Sequence, residues 1–163
     1  MKNNKIIKLI KLIKYKNHYE SLYNQFEHKK KDNLIPRVKA IGEKIKEEST
    51  IRLTLFDPVK EIIDNTDQLN QDLSKFKDRI EGLKKALSNN NEDYSKMIDE
   101  IEKNGENFIQ EINKLIEKLE KDVRNMELKL KIVKSDHDIL TQEPEPTIQL
   151  SKHSNLLSKI NTL

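Results

Sequence analysis

Histidine is the side chain best able to ligate a metal or pass protons near neutral pH. The chain has four, His18, His28, His137 and His153. They fall on different expected elements, and none has a convincing second ligand three or four residues away, the spacing that brings two side chains to one helical face. His137 lies between Asp136 and Asp138, but adjacent residues on a helix point in different directions, so the trio reads as solvated. Cysteine is absent. That removes thiolate zinc sites, disulfides and cysteine nucleophiles, and it fits a cytoplasmic protein. Carboxylates are plentiful, but acid–base work by a carboxylate pair needs a walled pocket, which a helical rod does not offer. No Gly-rich phosphate loop exists. Met97 and Met126 sit on an apolar seam, where packing is their expected role. No enzyme site, cofactor site or metal site is expected.

The elements that carry these residues read as helical throughout. Of 163 residues, 36% are charged, 34% hydrophobic and 5% aromatic, with only 3 Gly and 4 Pro. An average globular chain is roughly half apolar and a quarter charged. High charge, few breakers and a repeat near 3.5 residues give an all-α fold built from long helices. Four segments are expected: a basic amphipathic helix over 1–31, a connecting helix over 32–56, a long coiled coil over 57–140, and a proline break with a short back-packing helix over 141–163. No apolar run of eighteen residues or more appears, so no membrane span is expected.

Charge is uneven along the chain. Residues 1–31 hold nine Lys against Glu20 and Glu27, a balance of +7, while the remainder comes to −4. On a helix, Ile6, Ile7, Leu9, Ile10, Leu12 and Ile13 cover one broad arc, and Lys5, Lys8, Lys11 and Lys14 cover the other half. Such a cationic amphipathic helix can lie on an anionic membrane surface, bind an acidic groove, or pack its arc onto the rest of the protein. It is also similar to a mitochondrial presequence, although Arg and Ser are lacking. Tyr15, Tyr19, Leu22 and Phe26 continue a helical stripe. His28–Lys31 is too short a basic run, with no accompanying motif, for nucleic-acid binding to be expected.

Asp32–Pro36 reads as the first break, since proline disfavours helix at the residue before it. Val38, Ile41 and Ile45, then Ile51 and Leu55, stripe the connecting helix. Asp57-Pro58 starts the main tract as an N-cap with proline at the first helical position. Ile62, Thr66, Leu69, Leu73, Phe76, Ile80, Leu83 and Leu87 alternate spacings of four and three, as a coiled-coil seam does. Asn89–Asn91 interrupts, yet the phase resumes at Tyr94, Met97 and Ile101. One continuous helix and a helical hairpin turning at Asn89–Asn91 are both compatible with this pattern. The seam continues through Phe108, Ile112, Leu115, Leu119, Val123, Met126 and Leu130. Two eleven-residue steps, Tyr94 to Gly105 and Ile112 to Val123, straighten it. Gly105 on the seam suits close approach of a partner backbone. Unbroken, the tract would be about 120 Å long. Pro144 and Pro146 end it, and Ile148, Leu156, Leu157 and Ile160 give the final helix an apolar face.

Residues from about Pro58 onward, above all KMIDEIEKNGENFIQEINKLIEKLEKDVRNMELKL at Lys96–Leu130 and SDHDILTQEPEPTIQLSKHSNLLSKI at Ser135–Ile160, resemble the coiled-coil region that follows the B-box in tripartite-motif (TRIM) proteins. The resemblance implies a long helix forming an antiparallel dimer, with a short helix packed back on it. RING and B-box zinc modules need Cys and His ligands that this chain lacks, so ubiquitin-ligase activity is not implied. The functional expectation is a non-enzymatic, homodimerising coiled-coil scaffold, antiparallel, that binds other proteins at its ends. The alternative is a peripheral membrane-binding protein, anchored by the N-terminal helix or BAR-like in its helical body.

Overall fold

The computed structural model describes the backbone of residues 2–47, 56–89, 94–140 and 147–163, and the side chains of 4–46, 56–89, 94–131 and 155–163. The readings placed on Ile51, Leu55, Asn90, Asn91, Pro144 and Pro146, and on the side chains of His137, Ile148 and His153, lie outside these ranges. The protein is all-α. Among the described residues the elements are α1 (Lys2–His28), a π-helical turn (Lys29–Leu34), α2 (Ile35–Glu47), α3 (Phe56–Ser88), α4 (Tyr94–Leu140) and α5 (Thr147–Thr162). No helix among them is long and apolar enough to cross a membrane.

Among the described residues the 57–140 tract is two helices, α3 and α4, where the seam had allowed either a continuous helix or a break and the TRIM resemblance implied a long helix. Local chemistry accounts for the stop. Asparagine forms helix poorly, and α3 closes on its own caps. The Asn89 N–H donates to the Lys85 and Ala86 carbonyls at 3.2 and 3.3 Å, and Ser88 Oγ donates to the Lys85 carbonyl at 2.8 Å. These bonds satisfy carbonyls that a helix end leaves unpartnered. The Tyr94 hydroxyl then donates to the Asn89 carbonyl at 2.6 Å, tying the first residue of α4 to the end of α3.

The expected break at Asp32–Pro36 is also different. The helical backbone continues through it as the π-helical turn. Pro36 has no N–H for the carbonyl four residues back, and its ring would crowd that carbonyl. A wider turn just before the proline relieves both conflicts.

The chain forms two compact units. The first comprises Met1–His28 and Leu69–Leu115, the second Lys29–Gln68 and Ile116–Leu163. In the first unit three helical segments run side by side. Positions along α1 rise with those along α4: Lys8 hydrogen-bonds Ser95, Lys11 pairs with Glu102, and Tyr19 abuts Gly105. They fall against α3, where Glu20 pairs with Lys84 at 3.2 Å and the Phe26 ring lies 6.0 Å from Phe76. Phe76 is the hub. Tyr19 (5.5 Å) and Phe26 meet it edge-on, while Tyr23 (6.3 Å) and Phe108 (5.8 Å) stack on it. Five of eight aromatic rings thus gather where the three helices meet. Such pairs add about 0.5–1.5 kcal/mol each beyond the area they bury.

In the second unit, Leu34, Val38, Ile41 and Ile45 are buried, as are Val59, Ile62 and Ile63 of α3 and Ile116, Leu119, Val123, Met126 and Leu130 of α4. Thr66 is buried there and satisfied, its Oγ1 donating to the Ile62 carbonyl at 2.8 Å. Polar links flank the core: Arg37 to Glu127, Lys29 to Glu120 at 3.4 Å, Lys118 to Glu61 at 3.1 Å, and Asn65 to Asp122 at 3.0 Å. The short C-terminal helix packs on α2. Ile160 lies over Gly42, where an added Cβ would come within 2.7 Å of its Cγ2.

Candidate docking surface on the first helix

Most of the expected seam is interior. Ile62, Leu69, Leu73, Phe76, Ile80, Leu83, Tyr94, Ile112, Leu119, Val123, Met126 and Leu130 are buried. Leu87, Met97, Ile101, Phe108 and Leu115 are only half-buried. Sequence reasoning missed a second buried line, Ile63, Ala86, Ile98, Ile109 and Ile116. The reason is geometric. A two-helix seam needs apolar residues at two positions per heptad, whereas a helix flanked by two neighbours needs a broader stripe. This extra line was the sequence signal for a bundle. The buried seam residues are thus covered by the chain itself.

Leu83, Met97 and Ile101 border a cleft of about 270 Å³ in the first unit, lined also by Tyr19, Arg79, Gly82, Glu100 and Asn104. Space is open at Gly82, where a Cβ would meet nothing within 4 Å. Arg79 lies 4.5 Å over the Phe108 ring. Among the described residues no group of three His, Asp or Glu is placed to hold a metal. His18 lies beside the Tyr19 ring at 5.8 Å.

The residues singled out on α1 divide in a way that the sequence did not foretell. Leu12 is fully buried and Leu9 half-buried, while Ile6, Ile7, Ile10 and Ile13 remain 53, 60, 49 and 40% exposed. The packing stripe of α1 runs through Leu9, Leu12, Tyr19, Tyr23 and Phe26, at spacings of three, four and seven. At 3.6 residues per turn, Ile6, Ile10 and Ile13 lie to one side of it, and Ile7 lies further round. The whole arc does not pack inward, because a helix buries only the stripe that its neighbours cover. Aromatic rings downstream at 19, 23 and 26 decide which stripe that is.

The lysines divide as well. Lys8 donates to Ser95, and Lys11 pairs with Glu102, which also accepts the Tyr15 hydroxyl at 3.1 Å. These donors hold the Glu102 carboxyl below the usual range, the Lys11 bond contributing most. Glu102 in turn raises Lys11. Lys5 and Lys14 are exposed, and by the same helical count Lys14 falls between Ile10 and Ile7. The result is an aliphatic face with a lysine within it, turned away from the buried stripe.

Comparison with models of known families, with curated proteins and with solved structures finds no match to this chain, so the α1 face and the bundle behind it carry the functional reading.

Proposed function

We propose that the chain is a non-enzymatic helical interaction protein that docks through the isoleucine face of α1, and that uses its heptad pattern to build its own bundle. One observation carries this reading: Ile6, Ile7, Ile10 and Ile13 stand 40–60% exposed on the helix whose other side buries Leu12 completely. Fully burying an aliphatic side chain of this size is worth about 1.5–3 kcal/mol. Four that are half-covered leave on the order of 3–6 kcal/mol unrealised. Single exposed apolar residues are ordinary, but a contiguous face marks an interaction site. The burial of Ile62, Leu69, Leu73, Phe76, Ile112, Leu119 and Val123 within the chain supports a bundle that leaves the α1 face as the docking surface.

The test is the fourfold variant Ile6→Ser, Ile7→Ser, Ile10→Ser, Ile13→Ser in the full chain. Its urea midpoint should stay within experimental error of the parent, and its binding of an apolar fluorescent dye should fall sharply. A large drop in midpoint would mean that the face is core, and the docking reading would be withdrawn.

A further inference from the structure

We infer that the occupant of the α1 face is an anionic lipid surface. This rests on the docking reading above and names its partner. Three observations favour lipid over the other occupants.

The first is charge. Residues 1–19 contain six lysines and no acid. Lys14 lies within the isoleucine face itself, and Lys5 is exposed. A basic helix segment is drawn to phosphatidylserine-type headgroups within a Debye length of the surface. The same charge opposes a second copy, because two such faces would bring like charges together in the middle of an apolar contact.

The second is surface chemistry. The exposed side chains are all isoleucines, with no aromatic or arginine among them. Protein interfaces draw their strength from Trp, Tyr and Arg anchors in fitted pockets. A plain aliphatic line flanked by lysines suits the boundary between headgroups and acyl chains.

The third is where the face sits. It lies on the side of α1 turned away from Leu12, Tyr19 and Phe26, which are buried against α3 and α4. The helix need not leave the bundle to present it. Lys11 and Lys8 keep their contacts to Glu102 and Ser95 while the isoleucines enter the interface. No coupled unfolding is required, so the contact is available on encounter. Lysine stems long enough to snorkel let the apolar and charged groups act together.

The experiment is co-sedimentation of the full chain with vesicles of phosphatidylcholine containing roughly a quarter phosphatidylserine, beside vesicles of phosphatidylcholine alone. The chain should pellet with the anionic vesicles and be released by high salt. Replacing Lys14 by Gln should weaken binding by about fivefold. The fourfold serine variant should remain in the supernatant while keeping its circular dichroism spectrum. Failure of the parent chain to bind anionic vesicles, while the serine variant stays folded, would overturn the lipid assignment and leave the docking face standing. Equal recovery of parent and serine variant would overturn it too. So would a dimer in sedimentation equilibrium that the serine substitutions abolish, which would identify a second copy as the occupant. A serine variant that unfolds would instead remove the docking face, and the lipid assignment with it.

Discussion

Tyr19 shows how one side chain sets the terms for a helix. It is 5% exposed and touches Tyr15, His18 and Phe76 through its ring. Burial pushes its phenol above the ordinary value, with Arg79 acting in the opposite sense. A folded value above the unfolded one favours the protonated form. The stability it confers is fully present below the unfolded value near 10 and is lost as pH rises through the folded value. Tyr19→Phe should therefore leave the urea midpoint at pH 7 nearly unchanged and flatten its decline above pH of about 10. Some slope should persist, because Tyr15 is raised as well, chiefly by burial and then by its bond to Glu102. An identical decline in the variant would show that Tyr19 is not buried neutral. The sequence placed Tyr19 on an apolar stripe. It did not show what the stripe faced, because alternation of polar and apolar residues records that a face is covered and not by whom.

At the scale of elements, the Tyr19 side chain of α1 lies directly over Gly105 of α4. A Cβ there would fall on the Tyr19 hydroxyl, 3.1 Å from the ring carbon that bears it. Gly105→Ala gains about 1 kcal/mol of helix propensity but forces Tyr19 out of place, and overpacking typically costs about 1–3 kcal/mol. The net expectation is a loss of up to about 2 kcal/mol in urea unfolding. Gly82→Ala is the counterpart on α3. It meets nothing within 4 Å and should gain up to about 1 kcal/mol. Equal effects from the two would mean that the α1–α4 approach is looser than described. The sequence marked Gly105 as a point of close approach, and that was legible because glycine in a helix is costly unless space is short. It assigned the approach to a partner's backbone, whereas the neighbour is the Tyr19 side chain, 86 positions upstream on α1. The heptads were legible for a related reason. What they left open was rod against hairpin, since an antiparallel partner helix presents the same seam whether it belongs to the same chain or another. Ile63, Ile98, Ile109 and Ile116 tip the balance, because a residue beside the seam is buried only when a third helix covers it.

Across the whole molecule, pairing of α3 with α4 inside one chain has a direct measurement. Glu61 and Lys118 form an ion pair at 3.1 Å in the second unit. Spin labels at these two positions should report a short distance that survives dilution with an excess of unlabelled protein. A signal that dilution abolishes would place the two residues on different chains, as in the antiparallel homodimer. The proposed lipid contact belongs to this scale too, since it needs a folded bundle to hold α1 with its isoleucines outward. That surface was legible in part. Composition and charge singled out Ile6–Ile13 and the lysines among them, but which residues of the arc turn inward depends on the rings of Tyr19, Tyr23 and Phe26 further along the helix.

The aromatic hub has a spectroscopic corollary. The chain has no Trp and 4 Tyr, and Tyr15, Tyr19, Tyr23 and Tyr94 all belong to the first unit. Tyrosine fluorescence and the tyrosine bands of near-ultraviolet circular dichroism are thus reporters of that unit alone, whereas the far-ultraviolet signal of helix reports on both. Melting curves followed by the two methods will superimpose only if the units unfold as one cooperative body, so the distribution of four rings turns an ordinary melting experiment into a measure of how tightly the two units are coupled.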